Sequence, residues 1–183
     1  MRKSTLWLAR GMGVWALSCL LFLSAQGQTR YGLTAGLQIP TGQMGDFFAL
    51  GLGLDVRYRY EASQALAFGA GIGIYRFDGN FQYEGLVLST IPAYLGAEYR
   101  FFRKALGNTG LNLILAGGLD GGMFVSGGNV TGGTYSSELG LLMAPRFACI
   151  LEFSGVELLA ELRPVLAIPR GHSYLGLNLG ILL

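Results

Sequence analysis

From residue 31 onward the chain repeats one pattern. Apolar or aromatic residues alternate with small or charged ones, as in LGLGLDVRYRY at residues 50–60. There the even positions are Leu50, Leu52, Leu54, Val56, Tyr58 and Tyr60; the odd ones are Gly51, Gly53, Asp55, Arg57 and Arg59. Period two is the signature of a β-strand with unlike faces. The same reading predicts strands over 31–39, 50–60, 66–77, 87–101, 111–125, 138–153, 156–168 and 172–183. Each is about as long as a tilted strand needs to be to cross a bilayer.

The connections between these strands alternate in length. Residues 61–64 and 154–155 make short turns and 103–110 a medium one. The stretches 40–48, 78–85 and 126–137 are longer, and glycine-rich or aromatic. Long loops on one side and short turns on the other describe an up-and-down barrel in a bacterial outer membrane. The predicted fold is therefore all-β: an eight-stranded antiparallel up-and-down transmembrane β-barrel, with both termini on the periplasmic side.

Which face meets lipid follows from the character of each face. The apolar face carries almost no charge. The other holds Asp55, Arg57, Arg59, Glu98, Arg100 and Asp120 in the first five strands, and Arg146, Glu152, Glu157, Glu161 and Arg163 in the sixth and seventh. A soluble ligand-binding barrel would turn this charged face to water. Its glycines argue otherwise: Gly69, Gly71 and Gly73 leave the third strand bare, which suits a narrow lumen that long side chains from other walls must fill. Tyr58, Tyr60, Tyr99 and Phe101 lie near the turns on the apolar face, as an interfacial girdle would. The two signs of charge can pair inside. The expectation is apolar side chains in lipid, and a structural ion-pair network in the lumen.

Composition agrees. Charged residues are 13% of the chain, against roughly 25% in an average soluble domain. At the N-terminus Arg2, Lys3 and Arg10 precede the apolar run 14–23 and then small and polar residues. That is the plan of a cleavable signal peptide over residues 1–27, with the barrel at 28–183. Removing it leaves ten basic and eleven acidic residues, so the net charge offers no case for nucleic-acid binding. Cys19 lies in the apolar run, and Cys149 alone remains; neither a disulfide nor a cysteine metal cluster is expected.

The leader, the eightfold alternation, the stretch STIPAYLGAEYRF at 89–101 and the segment LLAELR at 158–163 resemble the small outer-membrane barrels of the PorT-like group of Bacteroidota-type bacteria. More distantly the chain resembles the OmpX and OmpA transmembrane barrels. The resemblance implies an outer-membrane protein with a secretion or envelope role. Its partners would be outer-membrane lipid and lipopolysaccharide, the barrel-assembly machinery, and other envelope or secretion components. Such barrels often end in an aromatic residue, whereas this sequence ends Gly-Ile-Leu-Leu183.

Candidate chemistry is sparse. His172, the one histidine, adjoins Ser173 near the predicted outer rim. Neighbours in a strand point to opposite faces, which is poor geometry for a Ser–His nucleophile, and no acid follows Glu161 in sequence. Gly69-Ala-Gly-Ile-Gly73 lacks the spacing and the helix of a dinucleotide site, and the glycine-rich segment 126–134 lacks the lysine of a phosphate loop. No catalytic residue, cofactor or metal is expected. The leading functional expectation is a non-enzymatic barrel with a structural or secretion-partner role. A narrow solute channel and a lipid A-modifying enzyme are the alternatives.

Overall fold

The computed structural model describes residues 28–130, 133–168 and 172–183; the predicted signal peptide lies outside them. Eight strands form one closed barrel: β1 (Gln28–Pro40), β2 (Phe48–Glu61), β3 (Leu66–Gly79), β4 (Val87–Ala105), β5 (Leu111–Val130), β6 (Gly133–Phe153), β7 (Val156–Ile168) and β8 (Tyr174–Leu182). Each pairs antiparallel with its neighbour in sequence, and β1 pairs with β8 to close the wall. A short helix, α1 (Gln43–Phe47), stands between β1 and β2. In hydrocarbon every backbone polar group needs a partner, and a closed sheet supplies one without leaving an edge.

The alternation sorts the side chains as the sequence predicts. Leu52, Leu95 and Leu179 point outward and are 67–70% exposed, while Glu98, Glu157 and Asp55 point inward at 0–1%. A continuous apolar exterior of this extent is a lipid-facing surface. Near the turns 62–65, 106–110 and 154–155 it carries Tyr31, Phe68, Tyr99, Phe101, Phe102 and Phe153. Tyr31 and Tyr58 pack there with ring centroids 5.3 Å apart. Tyr60 departs from the expected girdle: it is only 8% exposed, between its cross-strand neighbours Thr29 and Phe68.

Several boundaries move. The predicted long loop 126–137 is largely strand: β5 and β6 stay paired to Val130 and Gly133, with a bulge between Ser126 and Gly128. Its Gly, Ser and Thr residues carry no hydrophobic period, but their backbone groups still gain from a ladder. Strand β4 runs on to Ala105, and a bulge between Arg100 and Phe102 leaves both Phe101 and Phe102 exposed. The β6–β7 hairpin turns on Ser154 (φ 47°) and Gly155 (φ 86°). Two positive-φ residues are what a two-residue hairpin loop requires to match the strand twist.

Candidate functional site in the barrel lumen

An eight-stranded barrel is just wide enough for its own side chains to fill. Here they fill it in tiers. At the level of the short turns, Arg30 on β1 contacts Glu61 at 3.1 Å and Glu152 at 3.1 Å. Its guanidinium also donates to the Gly155 carbonyl, which ties the β6–β7 turn to β1. Arg100 reaches Glu61 at 2.7 Å and Glu157 at 3.0 Å. Arg59 pairs with Glu98 at 2.8 Å and also with Glu157.

In the middle tier Arg57 and Glu161 form a bidentate pair across the lumen, at 2.6 and 2.7 Å. Two parallel charge-assisted bonds fix orientation as well as distance. Arg146 stands 3.5 Å from Asp120 and 3.6 Å from Glu98. Arg163 lies 3.3 Å from Asp120, its guanidinium carbon 3.9 Å from the Tyr94 ring centroid. Asp55 accepts from the Tyr75 hydroxyl at 2.8 Å and from Thr34 at 3.2 Å. Beside this tier Gln38 donates to Asn178 at 2.9 Å.

The upper tier, toward α1, is apolar. Tyr75, Phe77, Tyr94, Phe124 and Tyr174 converge there with Leu142 and Val165, and Met44 of α1 inserts at 1% exposure. A second buried apolar patch, Ile114, Ala116, Ala148, Ile150, Leu159 and Leu182, lines one side of the lower lumen. The glycines make room for this filling. A Cβ at Gly71 would lie 2.3 Å from the Tyr94 ring, and one at Gly96 would lie 1.9 Å from Asp120 Oδ1.

All eleven lumen residues singled out from the sequence face inward. Ten are buried, and Glu152 sits at the lower mouth, where Arg103 and Asn112 also reach it. Each of Asp55, Glu61, Glu98, Asp120, Glu152, Glu157 and Glu161 lies within 4.0 Å of a guanidinium. Among the described residues, no group of three or more His, Cys, Asp or Glu is placed to hold a metal ion.

Comparison with known proteins adds the fold and nothing finer. No family model matches the chain, and no curated protein matches it. Among solved structures it is similar to Neisserial surface protein A, with a TM-score of 0.58 at 12% identity, over 85% of this chain and 95% of that one. It also matches Ail, the attachment invasion locus protein of Yersinia pestis, over 86% and 99% of the two chains at 14% identity and a TM-score of 0.49. The N-terminal β-barrel domain of Pseudomonas aeruginosa OprF matches over 86% and 100%, at 16% identity and a TM-score of 0.48. The neighbours are small outer-membrane β-barrels. They give no specific support to the PorT-like group.

The structure adds residues that the alternation missed. Arg30 lies one residue before the predicted start of β1, and Glu61 falls in a predicted turn; both are lumen groups. Arg103 falls in a predicted connection, but the bulge in β4 directs it to Glu152. Tyr75 and Tyr94 lie inward, on the face to which the alternation assigns them, and Tyr174 at the start of β8 joins them. His172 is also corrected. It is 8% exposed, packs against Phe124 and contacts Glu138 on β6 at 3.1 Å, an acid supplied by pairing and not by sequence order. The Ser173 hydroxyl meanwhile accepts from the Ala167 N–H at 3.2 Å.

Proposed function

We propose that the protein is a non-enzymatic integral β-barrel of the outer membrane, serving as a rigid anchor for envelope or secretion components. The observation that carries this reading is the filled lumen: paired charges occupy its lower two tiers and packed aromatics its upper one. The network is structural in this reading, holding the walls in register. The partners would be outer-membrane lipid and lipopolysaccharide, the assembly machinery that inserts barrels, and other envelope components. The PorT-like resemblance favours a secretion apparatus among them, and co-purification from native membranes tests that choice.

Electrical recording tests the sealed lumen. Purified protein in a planar bilayer should show no steady openings; steady openings would move the reading to a narrow solute channel. Among the described residues, the His172–Glu138 contact favours the enzymatic alternative, since an acid beside a histidine is half of a nucleophilic relay. Release of fatty acid from lipid A by wild type, abolished by His172→Ala, would replace the anchor reading.

A further inference from the structure

Strand β4 runs further toward the short-turn end than β3 does. Its pairing with β3 ends at Leu66 and Tyr99. One more bond, from the Arg100 N–H to the Ala65 carbonyl at 2.8 Å, closes that seam. Below it β4 continues to Ala105, with Phe102, Arg103, Lys104 and Ala105 set opposite Leu115, Ile114, Leu113 and Asn112 of β5. Buried and exposed residues alternate along most of β4 up to Arg100, but every residue from Phe101 to Gly110 is exposed. Among the described residues, no strand pairs with the other side of this segment.

The period of the ladder identifies the backbone groups left open. The Leu106 N–H donates to the Leu111 carbonyl at 2.8 Å, so in the same register Phe102 and Lys104 turn their backbone groups toward β5. Arg103 and Ala105 turn theirs the other way. They form an open edge at the periplasmic end of the barrel, just beyond the interfacial aromatics Tyr99 and Phe101. The adjoining turns, Ala62-Ser-Gln-Ala65 and Leu106-Gly-Asn-Thr-Gly110, carry no charge. Arg103 pairs with Glu152, whereas Lys104 makes no ion pair among the described residues. Phe102, two residues before Lys104, is 41% exposed. A lysine on an edge repels a second copy of the same edge and attracts a carboxylate.

We propose that Arg103–Ala105 is a docking edge for an extended, acidic segment of a periplasmic partner protein. The segment adds to β4 as a further strand, with a carboxylate beside Lys104 and an apolar side chain beside Phe102. Main-chain bonds hold such a strand, and the flanking side chains select it. The proposal rests on the anchor reading and gives the anchor its point of attachment.

The test uses the whole protein in nanodiscs and a blocked synthetic pentapeptide, VTETV, whose central glutamate can face Lys104. Amide hydrogen exchange is followed by NMR. At about 1 mM peptide, a concentration suited to a weak site, exchange at the Arg103 and Ala105 amides should slow several-fold. The Lys104 amide, already directed to β5, should not change. Lys104→Glu should lose the protection with VTETV and regain it with VTKTV. Methylating the two threonine nitrogens of the peptide, which face the edge, should weaken binding about tenfold or more; methylating the glutamate nitrogen, which faces away, should not. Protection that survives threonine methylation would reduce the site to charge attraction and overturn strand addition. Unchanged exchange at both amides in the wild type would overturn the docking edge. Protection present without peptide and lost on dilution would replace the partner by a second copy. Bilayer recording on the same preparation separates this proposal from the anchor reading. Steady openings with protection intact would remove the anchor and leave the edge, whereas a sealed barrel without protection would remove the edge alone.

Discussion

Glu98 is a single carboxylate shared by three guanidiniums: Arg59 at 2.8 Å, Arg100 at 3.5 Å and Arg146 at 3.6 Å. It is 1% exposed. Removing its charge leaves buried arginines short of a partner, and breaking a buried pair costs about 3–5 kcal/mol. Glu98→Gln should therefore lower the unfolding midpoint clearly. Asp46→Asn, on the exposed face of α1, should change stability by less than about 0.5 kcal/mol; equal and small effects would mean a wet, screening lumen. The glycines make a second contrast at this scale. Gly71→Ala drives a methyl into the Tyr94 ring and should cost about 1–3 kcal/mol, as overpacking does. Gly69→Ala meets only the Tyr58 carbonyl at 3.3 Å and Arg146 Nη2 at 4.0 Å, so denaturant titration should find it much the milder change.

Among the elements, α1 has five residues, too few to be stable alone in water. It is held by what it buries: Met44 enters the upper cluster, and the Asn80 side chain of the β3–β4 loop donates to the Asp46 carbonyl at 2.7 Å. Met44→Ala should cost about 2–5 kcal/mol if the helix is a fitted cap. A loss within experimental error would show that α1 merely rests on the barrel. The strands behave differently from one another for the same kind of reason. Strands β5 and β6 continue pairing beyond the hydrophobic alternation because their backbones can still bond. Strands β6 and β7 interrupt pairing within it because two prolines cannot.

For the whole molecule, the arrangement is that of a soluble protein turned inside out, with charge enclosed and apolar surface outside. Cysteines placed at Leu52, Leu95 and Leu141 should resist aqueous maleimide and react with a lipid-soluble reagent; rapid aqueous labelling of all three would reverse the two faces. The enclosed pairs should also be insensitive to salt. Raising ionic strength from about 0.1 to about 1 M shortens the screening length from about 10 to about 3 Å in water, but acts weakly on buried charges. The unfolding midpoint should hold. A marked fall would place water and ions in the lumen.

Much of this was legible in the residues themselves. Alternation at period two decides that Leu52 and Asp55 lie on opposite faces, because successive Cβ atoms of a strand point opposite ways whatever surrounds them. The scarcity of charge on one face then selects lipid for it. So the sequence by itself determined the strand count, the antiparallel order and the side on which the eleven charges within the predicted strands lie. It did not determine which charges meet. Arg57 is 104 residues from Glu161 and His172 is 34 from Glu138, and these pairs exist only because closure and stagger of the wall bring distant strands to one level. Nor did it reveal that Pro145 and Pro164 share a rung, since each proline alone is an ordinary interruption. Register is a relation between strands, set when the barrel closes, and it decided the ion-pair partners, the acid beside His172 and the gap in the wall.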